Sequence, residues 1–288
     1  MSATVRPALR VICVTFHPGP ELADFARSLR DATTGDVELV FVDNGTDRSV
    51  VDEVAGEHGA TVVHGAGNVG YGRAANLGAR GATQPWLVVA NPDIVWHPGS
   101  LDTLVEAGER NPGVGALGPT VLNEDGTVYP SARELPSLTQ GVGHALLGRV
   151  WPSNPWTVAY QRRQESSAGG ERTAGWLSGA CLLVRRAAFE DVGGFDEGYF
   201  MFFEDVDLGE RLGLAGWPNL VVPSAQVTHV GGTTWRDRPA PMIRAHHASA
   251  ERYLSRRYHR WYQWPVRLAI RLGLAARQAV ELRRVSGP

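Results

Sequence analysis

Lysine does not occur in this 288-residue chain; all 28 basic residues are arginine, a bias that genome composition explains as well as local physics does. Cysteine is almost as scarce. Cys13 and Cys181 each lie inside an apolar run, VICVTF and GACLLV, where a thiol acts as a small buried hydrophobe. A disulfide framework is thereby excluded, and a reducing cytoplasm is the expected setting. No stretch reaches the roughly 18 uninterrupted apolar residues that a transmembrane helix requires. No secretory signal is legible either, because MSATVRPALR leads into a short apolar run that reads as a first strand. Internal repeats are absent, and 34 Gly and 18 Pro are scattered rather than periodic. With 43% hydrophobic and 20% charged residues, collagen-like and disordered chains are also excluded, and the length suits one large or two small domains.

A formal net charge of −2 conceals a division. From Arg252 to Arg284 nine arginines face a single acid, Glu281, whereas the preceding 251 residues hold nineteen arginines and twenty-nine acids. An acidic body with a basic tail predicts an anionic partner at the C-terminal end only.

The N-terminal third alternates Val-rich runs with amphipathic segments. LRVICVTF, VELVFVDN, ATVVHG and PWLVVANPD read as strands buried on both faces, and residues 21–31, 50–58 and 72–82 read as the helices between them. This βαβαβαβ pattern predicts an α/β fold with a doubly wound, mostly parallel sheet flanked by helices, which binds ligands beyond the carboxyl ends of its strands. Further helices are expected at 101–111 and 186–192, and one running from EDVD to a stop at Gly216. VGALGPTVL and GWLSGACLLVRR each read as a strand, and WPNLVVPSAQVTHVGG as one strand or two. Residues 129–172, with four prolines and the run SSAGGE, read as the least regular part, with a mobile loop.

Four motifs carry candidate chemistry. GAGNVG at 65–70 spells a dinucleotide fingerprint, but it follows the third strand rather than the first; a glycine-rich turn explains it as well, and either way it offers helix N–H groups to a phosphate. Asn91-Pro92-Asp93 ends a strand with a carboxylate suited to a hard divalent cation, or forms a simple Asx turn. Glu204-Asp205-Val206-Asp207 follows the aromatic run YFMFF. These acids either cap a helix, or lie where excluded water raises a carboxylate's basicity. His229 in THVGG is either a structural histidine or an imidazole ligand for the cation at Asp93.

Taken in order, VTFHP, VDNG, GNVGYGRAAN, NPD, GWLSGACLLVRR, GGFDEGYFMFFEDVDL and HVGG resemble glycosyltransferase family 2, and within it the bacterial rhamnosyltransferase branch, over about residues 9 to 235. The resemblance implies a GT-A fold and a nucleotide-sugar donor bound across the first half. It implies that Thr15 and Asp43 contact base and ribose, that Asn68, Gly70 and Asn76 shape the donor pocket, and that Asn91-Pro92-Asp93 stands in place of the family's D-x-D motif. Asp93 then becomes the main carboxylate ligand of Mg²⁺ or Mn²⁺, Asn91 a weaker one, and His229 the distal ligand. Asp205 matches the catalytic base, Glu204 positions the acceptor hydroxyl, and Trp176, Ser178 and Gly179 lie where sugar and acceptor meet. The implied reaction is an inverting transfer, most simply of L-rhamnose from dTDP-rhamnose to a polyprenyl-diphosphate-linked saccharide, with another UDP- or GDP-sugar or a soluble acceptor as alternatives.

The organisation expected is a nucleotide-sugar half at 1–120, an acceptor and catalytic half at 121–235, and a basic amphipathic helical tail at 236–288. Arg interleaved with Trp261, Tyr262 and Trp264 suits an anionic membrane surface, through residues 252–284, at the inner face of the cell membrane; packing on the body or on a second copy in a homodimer is the competing reading. Nucleic acid is not expected, since the body is acidic and shows no recognition motif. From other classes, an NAD-dependent oxidoreductase uses GAGNVG but leaves EDVD and HVGG idle, and a non-catalytic sugar-nucleotide sensor does not need Asp205.

Overall fold

A computed structural model describes residues 8–65, 67–136, 170–231 and 239–285. Of the expected mobile loop SSAGGE, residues 166–169 fall outside these residues. Within them, strands β1 (Leu9–Thr15), β2 (Val37–Asp43), β3 (Thr61–His64) and β4 (Trp86–Ala90) alternate with helices α1 (Glu21–Ala32), α2 (Ser49–His58) and α3 (Tyr71–Ala79). The predicted boundaries hold to within a residue or two except at α3, which stops at Ala79 before the left-handed Gly81, and at β4, which ends at Ala90 rather than running on through Asn91-Pro92-Asp93. β5 (Ile94–Trp96) and α4 (Ser100–Arg110) follow, then β6 (Ala116–Asn123) and the short β7 (Val128–Tyr129) and β8 (Ala132–Arg133).

Past the undescribed stretch come β9 (Arg172–Ala174), β10 (Trp176–Leu177), β11 (Cys181–Arg185), α5 (Arg186–Asp191), α6 (Glu204–Leu214) and β12 (Asn219–His229). Two helices complete the chain, α7 (Pro239–Arg257) and α8 (Trp264–Val285). The single strand expected for GWLSGACLLVRR is corrected to two. β10 pairs with β8 in a separate two-stranded ribbon, and the chain turns at Ser178–Ala180 before β11 enters the main sheet. WPNLVVPSAQVTHVGG, by contrast, forms one long strand with an irregularity between Val222 and Gln226.

The main sheet runs β3-β2-β1-β4-β11-β6-β12-β5. Its first four strands are parallel, and from β11 onward antiparallel pairs enter. Because side chains alternate across a strand, Val11 and Cys13 face one core with Phe25, Leu29 and Leu104, while Ile12 and Val14 face the other with Ala74, Leu208 and Leu212. Both cysteines are buried free thiols. α3 lies close to the sheet because Gly78 sits directly on Ile12 and Val42, where no side chain would fit.

α7 and α8 form an antiparallel hairpin, tied by Arg267 to the Tyr258 carbonyl (2.9 Å) near the bend and by Arg271 to Glu251 (2.7 Å) further along. α7 is bound to the body: Ser249 donates to the Met201 carbonyl (2.7 Å), Tyr253 is buried, and Arg257 pairs with Glu210 (2.6 Å). α8 packs on α7 through a half-buried stripe that includes Arg267, Ile270, Leu274 and Gln278, and leaves Trp264, Leu268 and Leu272 exposed.

Candidate active site

The carboxyl ends of β1, β2 and β4, the turn at Ser178–Ala180, the start of α6 and the end of β12 open into one cavity of about 1060 Å³. Asn91, Asp93, Glu204, Asp205 and His229 all line it, as do Asn68, Trp176, Ser178 and Gly179. Residues separated by more than a hundred positions thus share a single space. Their convergence has a definite cause in the sheet: β5 and β12 pair antiparallel with His229 opposite Ile94, which sets the imidazole beside the preceding residue, Asp93. His229 Nε2 lies 3.1 Å from Asp93 Oδ1 and 3.4 Å from Asn91 Nδ2.

Asp93, His229 and Asn91 form an oxygen and nitrogen donor set of the kind that holds Mg²⁺ or Mn²⁺. Among the described residues no group of three or more His, Cys, Asp or Glu side chains forms a metal cage. The set therefore fits a cation whose remaining ligands come from a bound diphosphate and water.

Glu204 and Asp205 open α6 after Phe202 and Phe203, both in the left-handed backbone region at φ 66° and 64°. Two successive bulky residues in that conformation store strain, which folds retain where it fixes a functional group. Asp205 is pinned on both oxygens: Gly179 N–H donates to Oδ2 (3.0 Å) and Val206 N–H to Oδ1 (2.8 Å). Each oxygen keeps a lone pair for a further donor. Burial raises the Asp205 pKa, opposed by those two N–H bonds and by the positive charge of Arg133. Glu204 is more deeply buried, and its Oε2 has no hydrogen-bond partner among the described residues. Burial, reinforced by the charge on Asp205, pushes its pKa up to about 8. Asp207, the third acid of the motif, neither caps the helix nor enters the cavity; it pairs with Arg211 (2.6 Å) and with Arg256 of α7 (3.1 Å).

A raised carboxyl pKa has a definite sign. The unfolded chain releases the Glu204 proton at lower pH than the native protein does, so the stability this residue contributes is complete below about pH 4.5 and is lost as pH rises through about 8. Glu204→Gln removes that titration. The variant's melting temperature should gain on the parent's steadily between pH 5 and 8, and parallel curves over that interval would contradict the assignment.

Not every expected donor residue reaches the cavity. Thr15 and Asp43 are buried beside it and bonded to one another (3.0 Å), while their neighbours Val14, Phe16 and Asn44 form the wall. Asp43 Oδ2 has no hydrogen-bond partner among the described residues and lies 3.6 Å from His64 Nδ1. Gly70 caps α3 at φ 90°, against the Phe200 carbonyl, which leaves no room for a Cβ; it locks the loop before Glu204 onto α3. Asn76, expected to shape the donor pocket, is not among the residues that line the cavity. Its amide bonds both ways to the Phe195 backbone (2.9 Å each) and bridges α3 to the segment leading into α6.

Sequence reasoning missed Tyr71. From the first turn of α3 its hydroxyl donates to the Gly179 carbonyl (2.5 Å), bracing the residue whose own N–H holds Asp205. No spacing signal marks it, because the contact spans 108 positions. Arg133, His246 and Arg277 also line the cavity unannounced.

The mixed sheet thus carries a carboxylate, an amide and an imidazole on one side of the cavity and a carboxylate pair across it. The chain belongs to the glycosyltransferase-like family 2, whose model matches residues 7–262. It is 48% identical to the N-acetylglucosaminyl-diphospho-decaprenol L-rhamnosyltransferase of Mycobacterium tuberculosis, over 96% of this chain and 93% of that protein. To the rhamnosyltransferase WbbL of Escherichia coli K12 it is 25% identical, over 81% and 89% of the two chains. Among solved structures, the mannosyltransferase PcManGT from Pyrobaculum calidifontis, in complex with GDP-Man and Mn²⁺, superposes with a TM-score of 0.56 at 21% identity, covering 98% of this chain and 80% of that one. GalNAc-T7 with UDP, GalNAc and Mn²⁺ gives 0.59 at 14% identity, over 79% and 44%. The GT-A fold is thereby established, and the oxidoreductase reading of GAGNVG lapses: the motif closes the β3–α3 connection of a glycosyltransferase.

Proposed function

We propose that this enzyme is an inverting L-rhamnosyltransferase that takes dTDP-rhamnose as donor and a polyprenyl-diphosphate-linked saccharide as acceptor. The observation that carries the reading is the shared cavity, with Asp93, Asn91 and His229 on one side of the chemistry and Glu204 and Asp205 on the other. The choice of rhamnose and of a lipid-linked acceptor rests on the extent of likeness to the mycobacterial enzyme. Asp205 accepts the proton of the attacking hydroxyl, and the fixed N–H groups of Gly179 and Val206 keep it aimed and basic. Glu204, kept protonated at neutral pH beside it, donates a hydrogen bond to the acceptor. Asp93 and His229 would hold a divalent cation, which supplies neutralisation of the departing diphosphate. Asn44 and Asn68 flank the nucleotide. The test is direct. Purified enzyme with Mn²⁺ or Mg²⁺ should join rhamnose to polyprenyl-diphosphate N-acetylglucosamine from dTDP-rhamnose, and efficient turnover of a UDP- or GDP-sugar instead would overturn the donor assignment.

The tail supports work at an anionic membrane surface. Among the described residues no helix is long and apolar enough to cross a bilayer, and α8 turns Trp264, Leu268 and Leu272 outward among arginines. Because α7 is fixed to the catalytic half, removing it would injure the fold; surface changes are the proper probe. Full-length protein carrying Trp264→Ser, Leu268→Ser and Leu272→Ser should co-sediment with phosphatidylglycerol-rich liposomes much less than the parent, and equal sedimentation would remove the membrane reading.

A further inference from the structure

Much of the cavity's lining is apolar, and a continuous part of it lies to one side of the catalytic acids. Beyond Glu204 and Asp205 the wall is built from the C-terminal hairpin and the strained turn it supports. Met242, Ile243 and Leu254 come from α7, Leu274 from α8, and Phe202 and Phe203 from the turn. His246 rests edge-on against both phenylalanine rings at 5.5 Å, and Arg277 of α8 stands at the same wall. The polar groups of the donor side, Asn44, Asn68, Asn91 and Asp93, come from the connections that follow β2, β3 and β4. α8 lies beyond residue 262, where the match to the family model ends. A segment outside the matched region thus completes the acceptor side of the cavity.

An apolar wall continuous with the catalytic acids, carrying a cation and an imidazole, matches a ligand with an apolar chain joined through an anionic group to the reacting sugar. We infer that the α7–α8 wall is the hydrocarbon subsite of the acceptor, receiving the first isoprene units while Arg277 and His246 face the diphosphate. This rests on the proposed lipid-linked acceptor and adds to it where that lipid goes: inside the cavity, against the inner face of the hairpin, and apart from the outward face of α8.

The experiment uses full-length enzyme and monodisperse acceptors, without bilayers, so that surface binding plays no part. N-acetylglucosamine diphosphate esterified with a two-isoprene chain is compared with its methyl ester. The parent should favour the isoprenoid ester in kcat/KM by about tenfold or more, the discrimination that a few methylenes in an apolar pocket provide. Ile243→Ser with Leu274→Ser should cut that ratio by roughly tenfold. As a check independent of folding in the variant, a short isoprenoid phosphate should inhibit the parent competitively against acceptor and noncompetitively against donor. No transfer to either ester would count against the lipid-linked acceptor itself. Equal turnover of both by the parent, an unchanged ratio in the variant, or competition of the phosphate with donor would each overturn the hydrocarbon subsite while leaving the transferase reading in place.

Discussion

Asp205→Asn should lower kcat on the order of 10²–10⁴-fold while leaving donor affinity nearly unchanged, the loss that follows when a general base is removed. The geometry separates the two effects. Asp205 is held by the Gly179 and Val206 N–H groups, whereas the Asp93–His229 pair lies just before β5 and at the end of β12, so the substitution leaves the proposed donor anchor untouched. A cost in stability accompanies it. Both carboxylate oxygens accept from the backbone, and an asparagine offers one acceptor and turns its NH₂ toward the other N–H, an unsatisfied contact of about 1–3 kcal/mol. Turnover and melting temperature should therefore both fall. Isothermal titration with the nucleotide sugar distinguishes them from a general collapse, since near-parental affinity with lost turnover identifies the base. Near-normal turnover would end the assignment.

Asp93→Ala should act at the opposite step. Losing the carboxylate strips the strongest oxygen donor from the set completed by His229 and Asn91, and a cation bridging protein and diphosphate is worth several kcal/mol. Donor affinity in the presence of Mn²⁺ should weaken by roughly 10²-fold or more. His229→Ala should give a smaller loss in the same direction. The diagnostic feature is metal dependence: the parent's donor affinity should drop when the cation is chelated, and that of Asp93→Ala should hardly change further. A variant that still responds to the cation as the parent does would place the metal elsewhere.

The local order of elements was legible in the sequence because helix and strand periodicities are written into neighbouring residues. Alternating Val runs and amphipathic segments marked β1 to β4 and the helices between them, and Asn91-Pro92-Asp93 was visible as a strand end carrying a carboxylate. The break at Ser178–Ala180 was not. An apolar run from Trp176 to Val184 has no polar residue large enough to announce that its two halves join different sheets. The contact of Asn76 was hidden for a related reason. It sits in the GNVGYGRAAN motif, yet the turn of α3 aims it at the Phe195 backbone.

What the sequence by itself determined was the family, the order of its strands and the chemical types at their ends. Tertiary structure alone decided which of those groups meet: His229 reaches Asp93 through the register of β12 against β5, Tyr71 braces Gly179 across 108 positions, and the basic tail folds back to form part of the cavity wall. Propensity and periodicity are properties of adjacent residues, whereas these meetings depend on how strands pair and which apolar faces are buried together.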